Sequence, residues 1–116
     1  MGIIGTYNYN MKQTAPDTTS LTILSPKVER GQIVEVTGAT VGDYTTKNKK
    51  LVLGVRDYAG KDTYLKVTQE SSTFSHDING LWFMIEGDQF FGIIESPTAS
   101  DVCYFSVHGR RYKTLV

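Results

Sequence analysis

Two seven-residue stretches constrain this chain more than anything else in it. Leu51-Val52-Leu53-Gly54-Val55-Arg56-Asp57 and Gln89-Phe90-Phe91-Gly92-Ile93-Ile94-Glu95 each set a glycine mid-strand between apolar residues, with an acidic residue three positions later. Each follows a glycine-led apolar strand, over 31–36 or 80–85, and precedes a polar turn and a third strand, over 63–68 or 102–107. Counted from the central glycines, Leu65 matches Cys103 and Val67 matches Phe105. The copies differ mainly by a polar insertion over 41–50 in the first. Internal repetition of this kind predicts two related three-stranded units, residues 31–68 and 80–107, sharing one core. A glycine inside a strand marks a bulge, a bend or a close approach of neighbouring atoms, and its recurrence favours the last two.

The remaining signals are also those of strands. Leu21 to Leu24 is a short apolar strand stopped by Ser25-Pro26, since proline cannot donate to a central ladder. Val34 and Val36 share one face of the strand over 32–37, and 38–50 reads as loop. Ala59-Gly60 and Gly87-Asp88 are turns, Leu65 and Val67 point inward, and 111–116 supplies a last strand after a His108-Gly109-Arg110 turn. Leu81, Phe83 and Ile85 continue the core row, together with Cys103, Phe105 and Val107. Trp82, Met84 and Tyr104 then form a second apolar face, covered by the N-terminal segment, by a neighbouring subunit or by closure of a barrel. No window holds a helical period long enough for a helix. The expected fold is all-β, a small β-sandwich or barrel, with residues 21–116 as a single β domain. Residues 1–20, with Tyr7-Asn8-Tyr9-Asn10 and no clear period, read as an extended N-terminal arm. Ile3, Ile4, Tyr7 and Tyr9 are its candidate anchors on a partner.

Charge narrows the function. Twelve Lys and Arg balance twelve Asp and Glu, which argues against nucleic-acid binding, since that needs a basic surface to displace counterions; a local basic patch stays open. A neutral chain repels its own copies weakly, which suits self-assembly. A single cysteine forbids an intrachain disulfide. The first residues lack the basic region and long apolar run of a secretory signal, and no stretch is long enough for a membrane span.

The search for chemistry returns little. His76-Asp77 falls in a polar linker and His108 at a turn, and two histidines with one cysteine lack zinc-site spacing. Cys103 aligns with Leu65 as a buried small hydrophobe. Glu86, Asp88 and Glu95 gather around one hairpin and could serve paired-acid glycoside chemistry, but Asp57 and Glu95 occupy equivalent strand ends, which suits edge solubility better. Lys47, Lys49 and Lys50, and then Arg110, Arg111 and Lys113, are short basic groups that read as solvated faces. No catalytic, metal or cofactor site is expected.

From the glycine-led strand 31–38, through the polar loop, to Leu53-Gly54-Val55-Arg56-Asp57-Tyr58-Ala59-Gly60, the sequence resembles the small capsid decoration (head-stabilisation) proteins of tailed phages. That resemblance implies a non-enzymatic virion structural protein that binds and stabilises a capsid lattice from the capsid surface. It implies an N-terminal arm contacting the major capsid protein or other virion proteins, and a homo-oligomer, a trimer for preference. The aromatic second half departs from the family's pattern and weighs against the trimer more than against the structural role. The competing expectations are a tail, connector or head-fibre component of the virion, and a carbohydrate-binding β module using Trp82, Tyr44, Tyr58 or Tyr64 as a sugar platform.

Overall fold

The computed structural model describes residues 2–47, 49–68 and 75–114, with the side chains of 2, 3 and 76 outside that description. The strands are β1 (Gly2–Thr14), β2 (Leu21–Leu24), β3 (Gln32–Asp43), β4 (Lys50–Arg56), β5 (Asp62–Val67), β6 (Ser75–Met84), β7 (Gln89–Glu95) and β8 (Val102–Lys113). They form two four-stranded sheets, ordered β1-β8-β3-β6 and β2-β7-β4-β5. Every pairing is antiparallel. The chain changes sheet at each connection except the β4–β5 hairpin, which is the wiring of an eight-stranded jelly roll. The all-β sandwich is therefore what the chain forms.

The long strands set its shape. β1, β3 and β8 hold 13, 12 and 12 residues. At about 3.3 Å per residue each runs roughly 40 Å, close to the 47 Å longest extent of the molecule. Val34, Val36, Val41, Phe105 and Val107 of the first sheet meet Leu51, Leu53, Phe90 and Ile94 of the second in one buried core. The Phe90 and Phe105 rings stack across it with centroids 6.3 Å apart.

The two central glycines are both sites of close approach, as expected, but they face opposite ways. Gly54 pairs with Phe91 and Gly92 with Leu53 in the β4–β7 ladder. A Cβ on Gly92 would lie 2.7 Å from Phe105 and 2.8 Å from Val41, inside the core. A Cβ on Gly54 would strike the Thr63 carbonyl oxygen and the Phe91 ring, on the outer side. The third strands diverge as well: β5 is an edge of the second sheet, while β8 lies between β1 and β3 in the first. The two matched segments thus do not build equivalent three-stranded units. A two-residue side-chain period carries no sign, so a match of apolar positions leaves the facing undecided.

Four further expectations change. Residues 2–14 are strand β1, paired along its length with β8 from Gly2–Lys113 to Thr14–Val102, and not a detached arm. Ala15 is buried and its N–H donates to the Asp101 carbonyl, which ties down the following turn. β3 passes a bulge at Thr37 and continues to Asp43 through what reads as loop. β8 likewise runs straight through His108-Gly109-Arg110, so 111–113 extend it and make no separate strand. Val67, on edge strand β5, is exposed, leaving Leu65 as that strand's contact with the core.

Candidate interaction surface

The outer face of the first sheet follows from its inner face. Val34 and Val36 of β3 are buried, and their antiparallel partners on β6 are Met84 and Trp82. Directly opposed residues share a face, so Met84 is fully buried and Trp82 packs against the core. The indole lies against Gly80, where a Cβ would come within 2.6 Å of its ring. Leu81, Phe83 and Ile85 must then point outward, and they are 59%, 56% and 55% exposed. This reverses the assignment of the core row on β6. It also removes Trp82 and Met84 from the candidate interface and Trp82 from the sugar platform.

β6 is an edge of its sheet, so the apolar row borders a strand edge that is unpaired among the described residues. Phe83 stands opposite Glu35, and Glu35 opposite Arg110 of β8. On that outer face the Tyr112 hydroxyl donates to Glu35 Oε2 at 3.4 Å, and Arg110 Nη1 lies 3.9 Å from Glu35 Oε1. Ile33 stands opposite Tyr112 and carries the apolar surface inward from the edge. Ile4 is exposed at a bulge near the start of β1. Tyr7 and Tyr9 point the other way and pack against the core, Tyr9 with its ring centroid 6.3 Å from that of Phe105. The side chain of Ile3 lies outside the described residues.

At the opposite end of the same face Tyr104 stacks on exposed Tyr44, with centroids 4.1 Å apart, and Lys12 Nζ sits 5.5 Å above the Tyr44 ring. Asn10, Met11 and Ser106 complete a shallow hollow of about 290 Å³ there. A larger cleft, about 390 Å³, lies between β1 and the segment joining β2 to β3. It is lined by Thr6, Tyr7, Asn8 and Tyr9 on one side, by Pro26, Lys27, Val28, Glu29 and Gln32 on the other, and by Arg111.

The titratable groups are held in structural roles. Asp43 and Asp101 are buried together at the end of the β3–β8 ladder. Asp43 Oδ1 accepts from the Thr45 and Thr46 N–H groups at 2.9 and 3.0 Å, and Asp101 accepts from Thr46 Oγ1 and the Thr98 N–H at 2.9 and 3.0 Å. Burial, together with the hydrogen bond to Asp101, raises the Asp43 pKa. Burial also works to raise that of Asp101, but hydrogen bonds from Asp43, Thr46 and Thr98 outweigh it and leave it lowered. Burial and these two carboxyls push the Cys103 thiol up to about 12, which keeps it from acting as a nucleophile.

Asp88 Oδ2 accepts the Ile85 N–H in the β6–β7 turn, whereas Glu95 pairs with Lys50 at the far end of β7. Six residues of strand, roughly 20 Å, separate these carboxylates, more than any glycosidase pair spans. Lys49 donates to the Ser96 carbonyl and Thr98 Oγ1. His108 rests over Gly38 in mid-strand, and the side chain of His76 lies outside the described residues. Among the described residues no group of three or more His, Cys, Asp or Glu converges as metal ligands, and no helix is long and apolar enough to cross a membrane.

No protein-family model and no curated protein matches the chain. Solved structures that resemble it include the following three. A subunit of the Bacillus endospore appendages, described as a novel family of disulfide-linked pili, is 12% identical with a TM-score of 0.56, covering 98% of this chain and 90% of that one. The Drosophila NLP-core, described in terms of pentamer formation and histone binding, is 18% identical with a TM-score of 0.48, covering 92% and 99%. Dimeric latent PorU from Porphyromonas gingivalis is 10% identical with a TM-score of 0.42, covering 97% of this chain and 13% of that one. The pilus subunit supports the two-sheet fold; the other two superpose too loosely to bear on it.

Proposed function

We propose that this chain is a non-enzymatic structural subunit of a virion, a decoration protein that binds and stabilises a phage capsid lattice from its outer surface. The observation that carries the proposal is the row Leu81, Phe83 and Ile85, more than half exposed along the free edge of a sheet. Docking is assigned to this face in place of a loose arm, because residues 2–14 are already committed to β8. Covering the exposed halves of three such side chains is worth about 1 kcal/mol each, roughly 3 kcal/mol in all. That falls short of the cost of bringing two free proteins together. A contact this weak holds when many copies share one lattice, where avidity multiplies it.

The pilus subunit, with a similar fold, belongs to disulfide-linked pili; here the one cysteine is buried, which speaks against a disulfide between copies of this chain. A homo-oligomer, a trimer for preference, belongs to the same proposal. The test is co-sedimentation with empty capsids of the phage that encodes the chain. The native chain pellets to a saturating stoichiometry and Phe83→Asp stays in the supernatant. A native chain that stays in the supernatant overturns the proposal.

The stacked Tyr44–Tyr104 pair beneath Lys12 favours a second reading, a carbohydrate-binding module. Glycan-array binding that Tyr44→Ala abolishes and Phe83→Asp leaves intact would select it.

A further inference from the structure

We propose that the cleft between β1 and the Pro26–Glu29 segment receives an extended acidic peptide segment of a partner protein, adding it beside β1 and placing its carboxylate on Arg111. This goes beyond lattice docking and does not depend on it, since the two surfaces share no residue.

Three observations converge on the cleft. The first is an unmatched charge. Arg111 lies on the inward face of β8, between buried Val107 and the end of the sandwich, and its Nε is buried without a hydrogen-bond partner. Its guanidinium makes no hydrogen bond or ion pair among the described residues. An arginine whose Nε is withdrawn from water is best matched by an anion, and its planar fork fits a carboxylate. The second is a neighbouring donor. The Tyr7 hydroxyl is also buried without a hydrogen bond of good geometry among the described residues, with Ser25 close enough to act on its ionisation. A phenol and a guanidinium lining one cleft offer two donors to one acceptor group. The third is the shape. Four consecutive residues of β1, 6–9, form one wall, and β1 is an edge strand with β8 as its sole neighbour among the described residues. Its outward amides and carbonyls are open to strand addition, the commonest way a sheet edge takes a peptide.

The charges around the cleft agree with this occupant. Arg111 and Lys27 line it against a single carboxylate, Glu29, whose Oε2 is engaged by Gln32 Nε2 at 3.2 Å. One net positive charge therefore faces the ligand. A volume of about 390 Å³ accommodates a few residues and not a folded domain.

The test titrates the intact chain with two capped pentapeptides, Thr-Val-Asp-Val-Thr and Thr-Val-Asn-Val-Thr, and follows backbone amide shifts by NMR. The acidic peptide is expected to shift residues 6–9, 28–32 and 111 saturably, and to bind about tenfold tighter than its amide counterpart. Arg111→Gln should erase the difference between the peptides, and Arg111→Lys should restore part of it, with the amide spectrum reporting that each variant is folded. Equal affinity of the native chain for the two peptides overturns the proposal, as does an absence of saturable shifts or a footprint that misses residues 6–9. The native-chain comparison decides the matter even if Arg111→Gln fails to fold. Binding retained in Phe83→Asp separates this site from the lattice surface.

Discussion

Strands β1 and β6 are the two edges of the same sheet, and they present opposite surfaces to solvent. β1 turns Tyr7 and Tyr9 inward and sets Thr6, Asn8 and Asn10 outside, beside a cleft with an unpaired guanidinium. β6 turns Trp82 and Met84 inward and leaves Leu81, Phe83 and Ile85 outside. An exposed edge invites pairing with other chains, and polar or charged residues are the usual protection. β1 lines its edge with small polar residues, whereas the 81–85 stretch at the β6 edge is apolar on its outer face. One edge is thus suited to a selective polar contact and the other to a broad apolar one.

The sharpest way to break this comparison is to test which face of β6 is buried. Met84→Ala should cost about 2–5 kcal/mol of unfolding free energy, the range for a core methionine. Phe83→Ala should stay within about 0.5 kcal/mol, as exposed substitutions do. Urea denaturation of the two variants measures both. If Phe83→Ala proves the more damaging, the facing of β6 is reversed and the apolar docking surface vanishes with it.

The same test on β1 has a smaller expected effect. Tyr9→Ala removes a half-buried ring from Phe105 and should cost about 2 kcal/mol, whereas Asn8→Ala should be near neutral. Hydrogen exchange adds a second measure, with the β1 amides that bond to β8 protected to the level of the core strands. Fast exchange throughout 2–14 would restore a detached arm and remove one wall of the cleft.

How far the sequence carried differs between these two edges for physical reasons. The all-β class, the turns at Gly60 and Gly87 and the close approaches at Gly54 and Gly92 are local properties, so they were legible. β1 was not, although Tyr7-Asn8-Tyr9-Asn10 alternates strictly, because tyrosine and asparagine do not register as apolar and polar rows. On β6 both rows are apolar, so the period showed a strand without showing which side was in. That choice is made by register: β3 has an unambiguous inner row in Val34 and Val36, and its pairing with Met84 and Trp82 imposes the same side on β6. Register is a long-range property, and so is the cleft. Arg111 reads as one member of a basic run until β8 is seen to alternate, which sends Arg110 and Tyr112 out and Arg111 in.

The smallest expected effect lies away from both edges, in the Asp43–Asp101 pair that closes the far end of the β3–β8 ladder. Three of the four carboxyl oxygens have donors and Asp43 Oδ2, buried, has none, so one shared proton completes the set. The folded state thereby holds Asp43 protonated above its ordinary value of 3.8. Its contribution to stability is full below that value and is lost as pH rises through the raised folded pKa. Asp101 has a lowered folded pKa, so its contribution is present above 3.8 and is lost as pH falls through that lower value. The melting temperature of the native chain should therefore decline from mildly acidic pH toward neutrality. Asp43→Asn keeps the acceptor for Thr45 and Thr46 and supplies a permanent donor toward Asp101, so the decline should disappear while the loss in acid remains. At neutral pH the variant should be more stable by about 1 kcal/mol, roughly 4 °C in Tm. A native profile flat from 3.8 to neutrality, or a variant that melts lower at neutral pH, would show that no proton is shared and that the loop over 44–46 is held by other means.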